Sequence, residues 1–214
     1  MSLPIQAIIF DLDHCLLDPR VLGDAFVEPV CSALRATNAG TLSERQLLAA
    51  CADLWRHPFD AVADEYGFSV AMRVAGCRAY AALEVSFALR GYADLAALGQ
   101  LPAMKFLVTT GYRRLQQSKI AALGFGEIFE EIHIDALEEP GRLGKEGLFA
   151  QIVQRRRFTP RQVLIVGDNG ASEIAAGNRL RMPTVQLLRP GVARAPNADF
   201  HVDDLWQLAA LLAR

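Results

Sequence analysis

Two acidic residues separated by a single position follow the first apolar run of the chain. Asp11 and Asp13 come directly after residues 5–10, a run whose hydrophobicity is nearly continuous. In an extended strand, side chains two positions apart point to the same side, so both carboxylates would share one environment. Such a pair is unfavourable unless a cation or a shared proton relieves the repulsion. The pair therefore indicates a cation or proton-transfer site, although a solvated turn would account for it equally well.

Two further segments carry groups that suit an anion. Thr109, Thr110 and Gly111 stand at the end of a second apolar run, and a hydroxyl beside the backbone N–H groups of such a turn can bind phosphate. Lys145 follows a loop at residues 141–144 and opens a predicted helix, where an anionic partner would offset its unfavourable interaction with the helix dipole. Taken singly, a helix-capping threonine and a surface lysine explain these residues as well.

A second acidic pair lies near the end of a later apolar run. Asp168 follows residues 162–167, and Glu173 falls in the first turn of the next predicted helix. Carboxylate oxygens with open positions beside them suit Mg²⁺, which keeps water ligands and accepts a substrate phosphate oxygen. Asp168 could instead cap the helix. The coincidence of these features at successive strand ends, where open α/β sheets place their sites, favours one functional site.

The elements that would position these residues alternate between strand and helix. Five short apolar runs are predicted as strands: residues 5–10, 105–109, 131–134, 162–167 and 184–188. Helical patterns between the later strands cover residues 113–123, 146–156 and 171–181. Continuous hydrophobicity is typical of strands covered on both faces, and the alternation predicts a parallel α/β sheet with helices on both faces. Residues 140–144 and 189–196 are predicted loops.

One long segment interrupts this alternation. The region from residue 17 to residue 90 is far longer than a single crossover needs, and its patterns are helical. Helices are predicted at residues 22–37, 43–55 and 70–89. Thr41 or Ser43 would cap the second of them, and Pro58 breaks the chain after it. We therefore predict an all-helical insertion at 17–90 and a core of residues 1–16 and 91–214, which resumes with a helix at 92–99.

In combination, the four motifs resemble those of the haloacid dehalogenase-like (HAD) superfamily. Asp11-Leu12-Asp13, Thr109, Lys145 and Gly167-Asp168 with Glu173 occur in the family's order and spacing across almost the whole chain. The helical insertion directly after the first motif is similar to the helical-cap (C1) class of that family. The resemblance implies a Rossmann-like core, a Mg²⁺ cofactor and an aspartyl-phosphate intermediate.

The resemblance also implies roles for the first two motifs. Asp11 would be the nucleophile, and Asp13 would protonate the leaving alkoxide and then deprotonate the hydrolytic water. The main-chain carbonyl of Asp13 would also bind Mg²⁺. Thr109 would hydrogen-bond the phosphoryl group, assisted by the N–H groups of Thr110 and Gly111.

The remaining motifs would supply positive charge and hold the metal. By the same resemblance, Lys145 would neutralise charge on the nucleophile and on the phosphoryl oxygens, which is what phosphoryl transfer requires most. Asp168 would bind Mg²⁺, and Glu173 would bind it directly or through water. Glu173 departs from the family's more common aspartate, and Cys15 stands where threonine or valine is usual. We expect little effect from Cys15, and a reactive-thiol role is the weaker interpretation because no base is adjacent.

The insertion is expected to determine the substrate, a small-molecule phosphate ester. Polar residues that could face the site are Arg20, Arg56, His57, Arg73 and Arg78. A surface position is the simpler interpretation of each, although an arginine could bind a second anionic group. His14 could contact the leaving group or face solvent. The aromatic residues Trp55, Phe59, Tyr66 and Phe68 are expected to pack the insertion.

Three other functions compete with a Mg²⁺-dependent phosphatase. A dehalogenase of the same superfamily would share Asp11, but halide leaves without a proton, so Asp13 favours phosphate. A phosphotransferase (mutase) stays open. A non-catalytic binding module with the same fold is disfavoured by the presence together of Asp11, Asp13, Lys145 and Asp168.

Composition agrees with a folded enzyme and excludes other classes. Of 214 residues, 52% are hydrophobic and 21% charged, which favours a sizeable core over disorder. A net charge of −2 gives no basic field, so no nucleic-acid partner is expected. No apolar stretch is long enough for a membrane span and no signal peptide is evident, so a cytoplasmic protein is predicted. Without a CxxC pair, Cys15, Cys31, Cys51 and Cys77 are expected to be buried and reduced.

Overall fold

The computed structural model describes residues 5–213, and residues 1–4 and 214 of the predicted core lie outside that range. A six-stranded sheet forms its centre, in the order β3-β2-β1-β4-β5-β6, and every neighbouring pair is parallel. The strands are β1 Ala7–Phe10, β2 Met104–Gly111, β3 Glu131–Ala136, β4 Val163–Gly167, β5 Thr184–Leu187 and β6 Phe200–Val202. The predicted α/β, Rossmann-like fold class is thereby confirmed.

The two central strands explain why their sequences are continuously apolar. Every residue of β1 and of β4 is buried, because the two strands pair with each other and have helices on both faces. Ile8 and Phe10 pack into a core cluster on one face, whereas Ala7 and Ile9 pack into a separate cluster on the other. Successive side chains of a strand alternate between faces, so both faces select apolar residues.

Four helices lie between β1 and β2, and four follow β2. They are α1 Glu28–Thr37, α2 Glu44–Asp53, α3 Phe59–Glu65, α4 Val70–Ala81, α5 Arg113–Ala122, α6 Gly144–Arg156, α7 Glu173–Arg179 and α8 Leu205–Leu212. We call residues 19–81 the helical segment. Within it, Ser43 caps α2 through a capping box with Gln46, which resolves the choice between Thr41 and Ser43 in favour of the latter.

Several predicted boundaries between β1 and β2 were wrong. The helix expected at 22–37 begins only at Glu28, after two 3-10 turns separated by Gly23 at φ 79°. Proline 58 does not merely break the chain, because it stands at the N-cap of the unpredicted helix α3. The helix expected at 70–89 ends at Ala81, and that at 92–99 is a 3-10 helix, Leu95–Gln100.

Predictions for the core and for one cysteine also need correction. The loop predicted at 140–144 ends one residue early, because Gly144 is already the first residue of α6. Strand β6 and helix α8 were not predicted, since β6 has three residues and only Val202 among them is buried. Cys15, Cys31 and Cys51 are buried as expected, but Cys77 is exposed on α4 near the exposed Val74.

A buried ion pair joins the first and last parts of the core. Arg189, in a predicted loop, donates to both carboxylate oxygens of Asp94 at 2.8 and 3.0 Å. Its Nε also donates to the carbonyl of Cys15 at 3.0 Å, and its guanidinium lies 4.0 Å from the ring centroid of Tyr92. Asp94 additionally accepts the N–H of Leu205. The loop after β1 is therefore anchored to the start of α8.

Across residues 5–213, none of the helices is both long and apolar enough to cross a membrane.

Candidate active site

The carboxyl ends of β2, β1 and β4 lie side by side and bring three of the motifs together. Phe10 is in register with Leu107 of β2 and with Val166 of β4. The N–H of Asp11 donates to the carbonyl of Val166 at 3.0 Å, so the sheet pairing continues to the first acidic residue. Parallel strands thus deliver residues that are distant in sequence to one edge.

A three-carboxylate cluster with one lysine occupies this edge. Asp11, Asp168 and Glu173 each offer an oxygen, and the three oxygens lie within 4.8 Å of one another. Lys145 Nζ lies 2.8 Å from Asp11 Oδ1 and 2.8 Å from Glu173 Oε2. Asp11 and Glu173 are buried, so one ammonium faces three carboxyl groups with little solvent to screen them.

The electrostatics of the cluster favour an additional cation. Burial raises the pKa of Asp11 to about 7, against the opposing effect of Lys145. Burial, Glu173 and Asp11 together raise the pKa of Asp168 to about 8. Burial alone would lower the pKa of Lys145, but Asp11 and Glu173 hold it above its ordinary value, so the amine stays charged. An all-oxygen donor set with excess negative charge fits Mg²⁺.

Position 167 of the Gly167-Asp168 motif requires glycine for a steric reason. A Cβ built on Gly167 would lie 2.2 Å from Cγ of Glu173, so any larger residue would displace the glutamate. Glu173 Oε1 accepts the N–H of Asn169 at 2.6 Å, which fixes the carboxylate over the end of β4. Burial tends to raise the pKa of Glu173, but Lys145 and this N–H lower it below its ordinary value.

Asp13 stands apart from the three-carboxylate cluster and has its own partners. Lys119 Nζ lies 2.9 Å from both of its carboxylate oxygens, and Gln116 Nε2 donates to it at 3.0 Å. Burial would raise the pKa of Asp13, but Lys119 and Gln116 outweigh it and lower the pKa below its ordinary value. Lys119 and Gln116 therefore favour the ionised form of Asp13.

Gln116 and Lys119 were missed by the sequence reasoning. Gln116 Nε2 also donates to Thr109 Oγ1 at 2.6 Å, so it joins the hydroxyl of the second motif to Asp13. Both residues are buried on α5, three positions apart and on one face. Their positions beside Leu115 and Ile120, on the face of α5 that packs inward, are the signal that could have revealed them.

The hydroxyl groups of Thr109 and Thr110, in the second motif, have different partners. Thr109 is buried and its hydroxyl faces Gln116, whereas the Thr110 hydroxyl donates to Asp135 at 3.3 Å. A Cβ on Gly111 would lie 2.9 Å from the Gln116 side chain, so this position needs glycine for the close approach.

The loop that presents Lys145 is held by a second buried aspartate. Asp135 accepts the N–H of Gly144 at 3.0 Å and Nη1 of Arg142 at 3.2 Å. Nη2 of Arg142 donates to Asp60 on α3 at 2.5 Å. The same arginine thus connects the start of α6 with the helical segment.

A cavity of about 200 Å³ lies between the strand ends and the helical segment. Its lining includes all eight predicted site residues: Asp11, Asp13, Thr109, Thr110, Gly111, Lys145, Asp168 and Glu173. Cys15, in contrast, is wholly buried, and its Sγ lies 3.8 Å from the Val166 carbonyl. Burial raises the pKa of its thiol, and the negative charge of Asp11 raises it further, which argues against a reactive thiol.

The candidates from the insertion divide into two groups. Arg56, His57, Trp55 and Phe59 line the cavity, and so does His14, whose Nε2 lies 2.7 Å from the Trp55 carbonyl. The others do not line it: Arg20 pairs with Asp18, Arg73 pairs with Asp64, Tyr66 bonds Asp53, Phe68 packs on Phe59, and Arg78 is exposed.

Solved structures with the same fold include several kinds of HAD protein. YfnB from Bacillus subtilis, assigned to the HAD hydrolases and crystallised with bound magnesium, shares 16% identity at a TM-score of 0.65, over 99% of this chain and 100% of its own. A HAD phosphatase from Thermococcus onnurineus shares 20% identity at 0.66, covering 97% and 98%. An L-2-haloacid dehalogenase from Xanthobacter autotrophicus shares 17% at 0.59, covering 98% of each.

At these identities the likeness establishes the fold alone. No curated protein matches the sequence significantly. The family profile is more informative, because it matches residues 5–181 and so includes every motif described above. The chain is an enzyme of the haloacid dehalogenase-like hydrolase family.

Proposed function

We propose that this hydrolase is a Mg²⁺-dependent phosphatase that cleaves small-molecule phosphate monoesters through a phosphoaspartate on Asp11. One observation carries the proposal: the chain places two kinds of carboxylate in one cavity. Asp11 lies in a cluster of three with Lys145, whereas Asp13 lies outside that cluster with hydrogen-bond partners of its own. A nucleophile and a separate proton-transfer group are what monoester hydrolysis needs.

The cluster would hold the metal. Asp11, Asp168 and Glu173 would provide carboxylate oxygens, and we propose the main-chain carbonyl of Asp13 as a further ligand. Bound Mg²⁺ would neutralise charge on the transferring phosphoryl group, which phosphoryl transfer requires more than covalent assistance. Magnesium in YfnB is consistent with this choice of ion.

Asp11 would begin the reaction. Its carboxylate oxygen attacks phosphorus and the bond from phosphorus to the ester oxygen breaks. Lys145, at 2.8 Å from Asp11, favours the ionised form of that carboxylate and would neutralise charge on the phosphoryl oxygens. The Thr109 hydroxyl and the N–H groups of Thr110 and Gly111 would orient the phosphoryl group.

Asp13 would move the protons. In the first step its protonated form donates to the departing alkoxide oxygen. In the second step its carboxylate accepts a proton from the water that attacks phosphorus, which releases phosphate and regenerates Asp11. Lys119 and Gln116 hold Asp13 in the carboxylate form of the second step. A phosphate dianion arriving beside it would raise its pKa and favour the protonated form of the first step.

The other members of the family would use the cavity differently. A dehalogenase would have no use for a second carboxylate with two dedicated partners, because halide departs without a proton. A mutase would return the phosphoryl group to an acceptor hydroxyl and release no phosphate. Measurement of inorganic phosphate therefore separates these activities from the proposed one.

The test is phosphate release from a panel of monoesters with and without Mg²⁺. We expect turnover that depends on the metal and falls to background in Asp11→Asn. Asp203→Asn, which changes an exposed aspartate beside α8, is the matched control and should keep full activity. Unchanged turnover in Asp11→Asn would refute the assignment of Asp11 as the nucleophile. Chloride release from 2-chloropropionate without phosphatase activity would show that the enzyme is a dehalogenase instead.

A further inference from the structure

The cavity above Asp11 has two walls of different chemistry. The strand ends and α5 to α7 contribute the charged and polar lining, including Asp11, Lys119 and Lys145. The helical segment contributes mainly apolar and aromatic side chains, with Arg56 and His57 as its only strongly polar ones. A substrate with its phosphate at the strand ends would therefore extend its leaving group towards an apolar wall.

Aromatic rings form much of that wall. Tyr80 of α4 and Tyr112 at the start of α5 stack in parallel, with centroids 5.0 Å apart and an interplanar angle of 1°. Phe59 packs edge-on against both rings, at 5.6 and 6.5 Å. Trp55 and Phe26, each half-buried, line the same cavity. Phe59, Tyr80 and Tyr112 pack on one another, so this part of the wall has a defined shape.

The stack also has a fixed relation to the phosphate end. Tyr112 follows Gly111 directly and serves as the N-cap residue of α5, so one short segment carries both phosphate-binding groups and an aromatic ring. Within residues 5–213, the buried cations of the cavity are already paired, Lys119 with Asp13 and Lys145 with Asp11 and Glu173. Arg56 and His57 are exposed, and Arg56 donates to the Gly191 carbonyl at 3.1 Å.

This lining discriminates between classes of leaving group. A polyol moved against the ring faces of this wall would lose hydrogen bonds to water that the ring faces do not replace, which is unfavourable. A planar apolar group would gain from burial and from contact between rings. The volume of about 200 Å³ limits that group to a small one.

We propose that the aromatic wall, defined by Phe26, Trp55, Phe59, Tyr80 and Tyr112, is a subsite for a small aromatic leaving group. The preferred substrates are then aryl or arylalkyl phosphate monoesters. This assignment rests on the proposed phosphatase function and names its substrate class.

The first test compares benzyl phosphate with glycerol 1-phosphate, because both release a primary alcohol and differ mainly in the ring. We expect kcat/KM for benzyl phosphate to be higher by about tenfold or more, as a hydrophobic pocket allows. Trp55→Ala should lower the ratio of the two kcat/KM values by about tenfold. The chain has one other tryptophan, the half-exposed Trp206 on α8, and Trp206→Ala should leave the ratio unchanged.

The second test measures binding without turnover and keeps Trp55 intact. In Trp206→Phe, Trp55 is the only tryptophan, so its fluorescence reports on the cavity. With Mg²⁺ present, benzylphosphonate should change the emission saturably and bind about tenfold more tightly than 2-hydroxyethylphosphonate.

The outcomes separate the two proposals. Efficient hydrolysis of glycerol 1-phosphate with equal or weaker use of benzyl phosphate would overturn the aromatic subsite and leave the phosphatase standing. Tight benzylphosphonate binding without hydrolysis of any ester would overturn the phosphatase and leave an aromatic binding site. An equal loss on both esters in Trp55→Ala, or equal affinity for both phosphonates, would also overturn the subsite.

Discussion

The raised pKa values of Asp11 and Asp168 make metal binding depend on pH, and the sign follows from the structure. Burial raises these values to about 7 and about 8, so both carboxyl groups carry protons on the acid side of neutrality. Mg²⁺ binds the ionised form, so it must displace those protons. Its affinity should therefore rise with pH from 6 to above 8 and fall as the medium becomes acidic.

The magnitude can be worked out for the step from pH 7 to pH 6. Over that step the ionised fraction of Asp11 falls from about one-half to about one-tenth, and that of Asp168 from about one-tenth to about one-hundredth. The product of the two fractions falls roughly 50-fold, and the Mg²⁺ association constant should fall with it. With Asp11 alone, the same step gives a loss of roughly fivefold.

Isothermal titration calorimetry at pH 6, 7 and 8.5 tests this reasoning, and repeating each titration in buffers of different ionisation enthalpy counts the protons released. Asp168→Asn is the matched variant: it should bind Mg²⁺ more weakly but show only the smaller pH dependence. A Mg²⁺ affinity that changes less than twofold between pH 7 and pH 6 in the unaltered enzyme would refute the inference that burial keeps Asp11 and Asp168 protonated at pH 6.

Three further substitutions test individual contacts. Asp13→Asn should abolish turnover of esters with poor leaving groups while p-nitrophenyl phosphate, whose leaving group needs no proton, loses less; steady-state kinetics on both measures this, and equal losses would contradict a general-acid role. Gly167→Ala should displace Glu173, weaken Mg²⁺ binding in calorimetry and destabilise the fold by about 1–3 kcal/mol, because its Cβ would lie 2.2 Å from the glutamate side chain. Asp94→Asn should lower the free energy of unfolding by about 3–5 kcal/mol in urea titrations, since it leaves a buried guanidinium without its counter-charge.

The substitutions at Asp94 and Gly167 each have a comparison variant within the chain. Asp64→Asn breaks an ion pair in which the Asp64 side chain is 76% exposed, and it should change stability by no more than about 1 kcal/mol. Gly126→Ala adds a Cβ that meets no atom within 4 Å, so it should leave Mg²⁺ affinity unchanged. A similar loss of stability in Asp64→Asn would contradict the role of burial in the Asp94 ion pair. A similar loss of Mg²⁺ affinity in Gly126→Ala would contradict the role of the contact between residue 167 and Glu173.

The parts of the fold that the sequence predicted are those where burial on both sides dictates composition. β1 and β4 read as continuous apolar runs because both of their faces are covered, and the acidic residues directly after them mark the sheet edge. Short or half-exposed elements lack that constraint. Helix α3 has seven residues and β6 has three, so each shows its pattern over too few residues to be recognised in the sequence.

Contacts between residues far apart in sequence could not be predicted from local sequence patterns. Lys119 reads as an ordinary helical lysine, and only the approach of α5 to Asp13, 106 residues earlier, gives it a partner. Arg189 reads as a loop arginine, and its burial depends on Asp94. Local pattern fixes which elements form, whereas packing between distant elements decides which polar residues are buried.

Because Arg189 is so far from Cys15 in sequence, the contacts of the segment around β1 are completed late in synthesis. The bond from Arg189 to the Cys15 carbonyl spans 174 residues, and β1 itself pairs only with β2 and β4, which begin at residues 104 and 163. A chain emerging from the ribosome would therefore present β1 before β2 and β4, and β1 would find these neighbours only after Met104–Gly111 and Val163–Gly167 had been made. Contacts of such long range form slowly, because loop closure must precede them. Among the six strands of the described sheet, the apolar β1 is thus the one that a chaperone would have to shield the longest.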